Sequence, residues 1–276
     1  MTEDTVPELI PYDKLTHINY SFILPRADGT IRNVYNPWKL KKIVETGREH
    51  GVSVFVAVGG WGLEKEFEAV AADPALRAVF VQTLVEYAAE YDLDGIDIDW
   101  EYPVVGVSDG NYLALIRELR AALPEHVQLT TAVPAYGVNA DGFPAESFEY
   151  LDFVNLMVYD LSREAHATME MAERSLDYWQ GRGLSVEKTV LGVPFYSRPG
   201  EVPYRKMIQA DPAAAQVDVF EFVGALQYYN GIPTIQAKTE LALRRASGIM
   251  FWALSHDTTD EYSLLTAIDS VVKSRP

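Results

Sequence analysis

Short apolar runs rich in β-branched residues alternate along the chain with longer segments that carry an apolar stripe at helical spacing. The runs predict strands at residues 15–22, 52–60, 94–101, 127–135, 152–160, 189–197 and 248–255. Between them, helices are predicted at residues 37–51, 73–91 and 109–123, among others. This repeated strand–helix order is typical of an α/β fold built on a parallel sheet.

The pattern runs through the chain without a linker, a low-complexity tract or a block of like charges, so we expect one domain over residues 1–276. A length of 276 residues with 48% hydrophobic residues suits a single barrel-sized domain. The stretch from Arg198 to Phe220 contains three prolines and is predicted to be an elaborated loop.

The predicted strand at residues 94–101, DGIDIDWE, carries carboxylates in an otherwise apolar setting, where unpaired charge is costly. Alternation along a strand puts Asp97, Asp99 and Glu101 on one face and the apolar residues between them on the other. We expect the apolar face to meet helices and the acids to point into a barrel. Asp94 is out of phase and should hydrogen-bond the strand entry.

Three acids this close cannot all ionise cheaply, so at least one should hold or share a proton near neutrality. Glu101, nearest the mouth of a βα barrel, is the expected proton donor, and Asp99 below it should modulate its proton affinity. A purely structural cluster and a metal site are the two alternatives. The metal site is disfavoured because no histidine is in reach and one strand supplies all the ligands. We therefore expect no metal and no cofactor.

Charge and composition narrow the class of partner. A net charge of −17 argues against nucleic acid or an anionic membrane and suits a neutral or cationic substrate. The chain has no cysteine, which excludes disulfides and thiol catalysis. The five histidines lack metal-ligand spacing and are expected to be surface or singly bonded residues. No apolar run reaches the roughly 18 residues of a membrane span, and the N-terminus lacks the pattern of a signal peptide.

The segment DGIDIDWE resembles the DxxDxDxE signature of glycoside hydrolase family 18, the chitinases and endo-β-N-acetylglucosaminidases. Further segments are similar to the family's other strands in the same order, namely THINYSF, VAVGGW, MVYD, LGVPFYSR and GIMFWALSHDT. The resemblance implies a TIM (β/α)8 barrel. It also implies cleavage of β-1,4 bonds after N-acetylglucosamine with retention by substrate assistance, in which the substrate's own 2-acetamido oxygen is the nucleophile.

The resemblance also implies residue roles. Glu101 matches the acid/base, and Asp99 matches the residue that hydrogen-bonds the acetamido N–H. Asp97 matches the inner aspartate that shares a proton with Asp99, and Tyr159 the phenol that holds the acetamido oxygen. Trp252 matches the tryptophan beneath the distorted sugar. The remaining expected cleft residues are Met157, Asp160, Tyr20, Phe22, Tyr196 and Arg198.

Three departures from the family pattern change the expectations. Ala57 stands where the family has a serine whose hydroxyl bonds the inner aspartate. The segment between LGVPFYSR and GIMFWALS is too short for the extra domain of some relatives, which favours an open cleft and endo attack. The family's first strand, expected upstream of residue 15, is missing. We therefore expect either a truncated form of a longer, secreted and hence extracellular protein, or a barrel with a gap, and in either case a monomer.

Two alternatives remain at this point. One is a non-hydrolytic, lectin-like glycan-binding protein, although lectin-like members typically lose the glutamate that is retained here as Glu101. The other is an endo-β-N-acetylglucosaminidase that acts on glycoprotein N-glycans. That enzyme class and the chitinases share every motif quoted, so loop shape decides between them.

Overall fold

The computed structural model describes residues 5–274, which form two compact units that divide after Val154. The elements of the first unit are β1 (His17–Pro25), β2 (Ile31–Arg32), α1 (Pro37–His50), β3 (Ser53–Gly59), α2 (Glu64–Ala72), α3 (Pro74–Tyr91), β4 (Gly95–Asp99), α4 (Asp109–Ala122), β5 (Gln128–Pro134) and α5 (Val138–Asp141). Strand β6 (Phe153–Met157) crosses the division.

The sheet of the first unit is built from β5, β4, β3 and β1 in that spatial order, all parallel, with β2 antiparallel at the edge beside β1. Helices follow the strands along the chain, as the sequence pattern predicts. The largest of them, α3, begins where the Asp73 side chain accepts hydrogen bonds from the backbone N–H groups of Ala75 (2.8 Å) and Leu76 (3.3 Å). Pro74 occupies its first turn, where a missing N–H has no consequence.

No strand precedes β1 among the described residues 5–16. That segment holds two 3₁₀ turns, Pro7–Leu9 and Tyr12–Lys14. The expected lack of a strand there is confirmed for residues 5–14, and residues 1–4 lie outside the described part. The register of β1 against β3 shifts between Ser21 and Ile23, so Phe22 is the extra residue of a bulge.

The elements of the second unit are α6 (Met169–Gly181), β7 (Thr189–Pro194), α7 (Tyr204–Ala210), β8 (Val219–Phe222), β9 (Ala225–Tyr228), α8 (Ile232–Arg245), β10 (Gly248–Trp252) and α9 (Leu264–Lys273). Strand β7 lies between β6 and β10, and β10 pairs with it in parallel. Strands β8 and β9 form a separate antiparallel hairpin. No helix in residues 5–274 combines the length and the hydropathy that a bilayer crossing requires.

The prediction of an elaborated loop from Arg198 to Phe220 is wrong, because the stretch contains helix α7 and the start of β8. Tyr204, Met207 and Ile208 recur at helical spacing and are all buried. Pro203 and Pro212 stand where helical segments begin, which is where proline is tolerated, rather than inside them.

Candidate active site

The acids of β4 belong to a rung of parallel, in-register residues in the first unit. Four residues lie side by side at one level of the sheet, namely Ser21 of β1, Ala57 of β3, Asp97 of β4 and Thr130 of β5. We call this set the Asp97 rung. The opposite face of β4 meets helices, as predicted. Its last apolar residue, Trp100, is fully buried.

Trp100 stacks on Phe67 of α2 with ring centroids 5.1 Å apart and an interplanar angle of 8°. This contact fixes the apolar side of the strand, so the acids face the other way. The expected role of Asp94 is also confirmed, because its Oδ2 accepts a hydrogen bond of 2.7 Å from Val54 N at the start of β3.

Asp97 and Asp99 are both buried, with 3% and 7% of their surface exposed. The hydroxyl of Thr130 donates a hydrogen bond to Oδ1 of Asp97. Burial, reinforced by the negative charges of Glu101 and Asp97, raises the pKa of Asp99 well above its usual range. Asp99 Oδ1 has no hydrogen-bond partner among residues 5–274. We call Asp97, Asp99 and Glu101 the acid column. It therefore contains a carboxyl that holds a proton and has an oxygen available to a ligand.

Glu101 follows the end of β4 and is partly exposed, whereas the two aspartates before it are not. Beside it, the chain turns at Gly59 with φ of 111°, and a Cβ there would lie 2.3 Å from the carbonyl oxygen of Asp99. Only glycine fits this position, because backbone and acid column approach so closely. The indole of Trp61 is 80% exposed and lies 6.4 Å from the ring of Tyr102. Apolar ring surface therefore adjoins the glutamate.

The second unit has its own charged group, centred on Asp160. Arg198 Nε donates to Asp160 Oδ1 (2.6 Å) and the Tyr196 hydroxyl donates to Oδ2 (2.7 Å). Arg198 also pairs with Glu201 at 2.6 Å. Burial acts to raise the pKa of Asp160, but hydrogen bonds from His166, Arg198 and Tyr196 outweigh it and hold that pKa well below its usual range. Asp160 is therefore an ionised carboxylate at neutral pH.

His166 corrects one expectation, because it is neither a surface residue nor singly bonded. It is 1% exposed, and its Nδ1 lies 3.3 Å from Asp160 N and 3.4 Å from Asp160 Oδ1. Its Nε2 lies 3.2 Å from the carbonyl oxygen of Tyr196. The histidine therefore supports Asp160 and Tyr196 together, a role that its isolated position in the sequence does not indicate.

Three further predicted cleft residues, Tyr159, Trp252 and Met157, also lie in the second unit. Tyr159 and Tyr196 meet edge to face with ring centroids 6.2 Å apart. Trp252 is half-buried and pairs in register with Pro194 of β7, and Met157 is half-buried at the end of β6. Asp160 and Arg198, with Ser162, Arg163, Pro199 and Gly200, line a cavity of about 330 Å³.

The prediction that Tyr20 lines the cleft is wrong, because the register of β1 turns its side chain the other way. Tyr20 lies in register with Val56, which lies in register with Ile96. Ile96 is on the helix-facing side of β4, together with Trp100, so Tyr20 belongs to the buried core on that side. Phe22 differs because it is the bulged residue, and a Cβ added to Gly60 would lie 3.2 Å from its ring. It thus reaches the glycine turn that flanks the acids.

Residues 5–274 contain no group of three or more histidine, aspartate or glutamate side chains arranged to hold a metal ion. The residue that sequence reasoning missed in the first unit is Thr130. A signal for it exists, because a threonine at the fourth position of the next predicted strand, residues 127–135, can face the inner aspartate. Its use depends on the β4–β5 register, which the sequence alone does not fix.

The sequence model for Glycosyl hydrolases family 18 matches residues 2–257 of the chain. Chitinase 1 of Aphanocladium album is 28% identical over 241 residues, which covers 70% of this chain and 57% of that protein. A chitinase-like effector of Moniliophthora roreri is 28% identical over 218 residues, covering 68% of this chain and 53% of that protein. The chain thus spans about half the length of these curated relatives.

Among solved structures, a chitinase from Bacteroides thetaiotaomicron superposes with a TM-score of 0.84 at 29% sequence identity. The match covers 95% of this chain and 89% of the bacterial one. A likeness over nearly the whole chain confirms the predicted α/β barrel class of fold.

We predict that Asp99→Asn stabilises the protein, increasingly so as the pH rises. The raised pKa of Asp99 means that the folded state binds a proton which the unfolded state has lost above about pH 4. The stability that Asp99 contributes at low pH is therefore lost as the pH rises through its folded-state pKa. Asparagine does not titrate, so urea unfolding at pH 8 should show the variant more stable by ~1–2 kcal/mol, and at pH 4 a smaller difference.

The matched control is Asp92→Asn, because Asp92 has a side chain that is 74% exposed and also tolerates the exchange in its left-handed conformation. Because this variant removes the ion pair of Asp92 with Arg48, it should not gain stability, so a gain at pH 8 is expected of Asp99→Asn alone. An Asp99→Asn difference that stays constant from pH 4 to 8 would show that the carboxyl is not perturbed by burial and its acidic neighbours.

Proposed function

Because the chain belongs to glycosyl hydrolase family 18, we propose that it cleaves the β-1,4 bonds of chitin, or of a related N-acetylglucosamine glycan, by a retaining, substrate-assisted mechanism. The observation that carries the proposal is the buried Asp97–Asp99 pair directly below a partly exposed Glu101. A carboxyl whose pKa is raised by burial and by two acidic neighbours suits proton transfer at neutral pH far better than it suits a structural role.

Glu101 is the general acid and base. In the first step it gives its proton to the oxygen that joins the two sugars, while the acetamido oxygen of the sugar on the non-reducing side attacks C1. The glycosidic C–O bond breaks and an oxazolinium ion forms. In the second step the Glu101 carboxylate takes a proton from water, whose oxygen attacks C1 from the face that the leaving group had occupied. The bond between C1 and the acetamido oxygen breaks as this happens, and the acetamido group is restored. The product keeps the β configuration because two inversions occur at C1.

Asp99 stabilises the positive oxazolinium ion by hydrogen bonding its N–H. The open acceptor Oδ1 of Asp99 supports this assignment, since a buried carboxyl oxygen without a partner is costly unless a ligand supplies one. Asp97 shares the proton with Asp99 and lets the pair adjust its charge as positive charge develops on the substrate. The pair, which carries one proton and one negative charge at rest, thus becomes a stronger acceptor at Asp99 when the proton moves toward Asp97.

Tyr159 holds the acetamido oxygen in line for attack, a positioning role whose value comes from the entropy saved when the nucleophile is already aligned. Its edge-to-face contact with Tyr196 supports this role, because it restricts the ring. Trp252 supplies an apolar surface for the C–H face of the sugar. The ionised Asp160 and its partner Arg198 offer charged hydrogen-bonding groups to sugar hydroxyls, and Phe22 and Met157 contribute apolar contacts.

Several finer features belong to the same proposal. Between β7 and β10 the chain holds α7, the β8–β9 hairpin and α8. This content supports an open cleft and endo attack on internal bonds of a polymer. An extracellular location and a monomeric state complete the proposal. Chitooligosaccharides assayed beside a high-mannose glycoprotein would separate a chitinase from an endo-β-N-acetylglucosaminidase.

A second candidate is a non-hydrolytic glycan-binding protein. Ala57 favours it, because the methyl group beside Asp97 cannot donate a hydrogen bond, and a relative carries the name chitinase-like effector. Retention of Glu101 favours the hydrolase instead, since hydrolysis requires a proton donor at this place and binding does not. Hydrolysis of a chitooligosaccharide by the wild-type chain, followed by chromatography, decides between the two.

We predict that Glu101→Gln lowers kcat on chitooligosaccharides by at least ~10²-fold, because glutamine keeps the shape of the side chain but has no proton to transfer. Sugar binding, measured by calorimetry, should remain largely intact, since the change removes a transition-state interaction. Glu64→Gln, an exposed glutamate in the first turn of α2, is the control and should leave kcat unchanged. If Glu101→Gln retains hydrolysis, the assignment of Glu101 as the general acid is wrong.

We predict further that fully deacetylated chitosan oligomers bind but resist cleavage, because they lack the acetamido oxygen that acts as nucleophile. A thiazoline analogue of the intermediate should inhibit, as ligands that resemble the transition state do. Product analysis of acetylated and deacetylated oligomers at equal concentration makes the comparison. Equal turnover of the two would point to a nucleophile supplied by the protein.

A further inference from the structure

We propose that Thr130 is the positioning residue for the inner aspartate, and that its hydroxyl, donated from β5, supplies the hydrogen bond to Asp97 that Ala57 on β3 cannot make. The inference rests on the proposed hydrolase function and concerns a residue that the sequence motifs do not include. It starts from the Asp97 rung, in which Asp97 has one neighbour on each side at the same level of the sheet.

The two neighbours differ in a single functional group. Ala57 presents a methyl group, while Thr130 presents a hydroxyl that donates to Asp97 Oδ1. Ser21, the other hydroxyl of the rung, is separated from Asp97 by β3, because it is paired with Ala57. Thr130 is fully buried, so its hydroxyl does not exchange this partner for bulk water. The bond is therefore a fixed feature of the folded unit.

The direction of the hydrogen bond decides its chemical effect. A donor to a carboxylate oxygen favours the ionised form of that carboxylate. If Asp97 carries the negative charge, the shared proton lies on Asp99, the carboxyl nearer Glu101 and the one with the open Oδ1. Thr130 thus acts through Asp97 to keep the proton at the end of the pair that meets the substrate. It need not touch the substrate itself.

The strands beside Asp97 add no charge of their own. Neither β3 nor β5, the strands on each side of Asp97, carries an ionisable side chain. Glu101 lies above the pair and adds negative charge beside Asp99, and Tyr112 of α4 has a pKa that is raised chiefly by burial and, to a smaller extent, by the charge of Asp97. Tyr112 is therefore neutral at working pH, and the hydroxyl of Thr130 can be removed by mutation without changing any charge near the pair.

Thr130→Val tests the proposal because valine keeps the branched shape and loses only the hydroxyl. At the pH optimum kcat should fall by at least about fivefold, as expected for a lost hydrogen bond to a charged group, with little change in KM. The acidic limb of the kcat/KM profile should move to higher pH, because ionisation of the pair becomes harder. Thr130→Ser should restore both values. In the double variant Ala57→Ser/Thr130→Val, the serine on the opposite neighbour should recover most of the loss.

The matched control is Thr131→Val, since Thr131 is equally buried but its hydroxyl donates to the carbonyl oxygen of Ile98 (2.7 Å) rather than to an acid. This variant should leave the pH profile unchanged, whatever it does to stability. A pH profile that moves equally in Thr130→Val and Thr131→Val, or that fails to move in Thr130→Val, would overturn the role of Thr130.

A readout that needs no catalysis separates this proposal from the function itself. Urea unfolding at pH 4 and pH 7 reports protons bound on folding. The stability lost in Thr130→Val should be larger at pH 7, where Asp97 is ionised, than at pH 4, while the loss in Thr131→Val should be the same at both. If the wild-type chain proves inactive but this difference appears, the proton arrangement stands and the hydrolase proposal fails. Equal losses at both pH values would refute the arrangement itself.

Discussion

The burial of two aspartates at alternate positions of one parallel strand, with a glutamate immediately beyond, is the constraint on which the first unit depends. Asp97 and Asp99 are 3% and 7% exposed, and their charges cannot all be kept at neutral pH without large cost. The neighbouring strands accommodate them with a hydroxyl at Thr130 and with a glycine at position 59, where any side chain would strike the backbone of Asp99. The stacking of Trp100 on Phe67 prevents the strand from turning its acids elsewhere.

Two aspartates in the chain show how environment assigns opposite roles to the same side chain. Asp99 has acidic neighbours and an oxygen without a partner, so its pKa is raised and it holds a proton. Asp160 has a guanidinium, a phenol and an imidazole around it, so its pKa is lowered and it stays ionised. Each unit thus offers a carboxyl of defined charge, one suited to proton sharing and the other to binding polar groups.

Much of this was predictable from the sequence, because period-two alternation in DGIDIDWE needs only local geometry to put Asp97, Asp99 and Glu101 on one face. All seven predicted strands occur. The sequence-based predictions are wrong or incomplete where the position of a side chain depends on strand register or on contacts between residues distant in the sequence. The family resemblance predicts Tyr20 in the cleft, whereas its register with Val56 turns its side chain toward the helices. His166 gains its partners only through the folding of a loop, and Thr130 becomes relevant only through the pairing of β4 with β5. Helix α7 was hidden by prolines that in fact precede helical turns.

The central claim is that the buried column retains a proton at neutral pH, and carbon NMR of the aspartate carboxyl groups in the wild-type protein tests it most directly. The Asp99 signal, assigned by its absence in Asp99→Asn, should remain at the position of a protonated carboxyl at pH 7 and move only at higher pH. The carboxyl signals of exposed aspartates in the same spectra provide the internal reference. If the Asp99 signal moves together with those of the exposed aspartates, the buried pair holds no proton and the account is wrong.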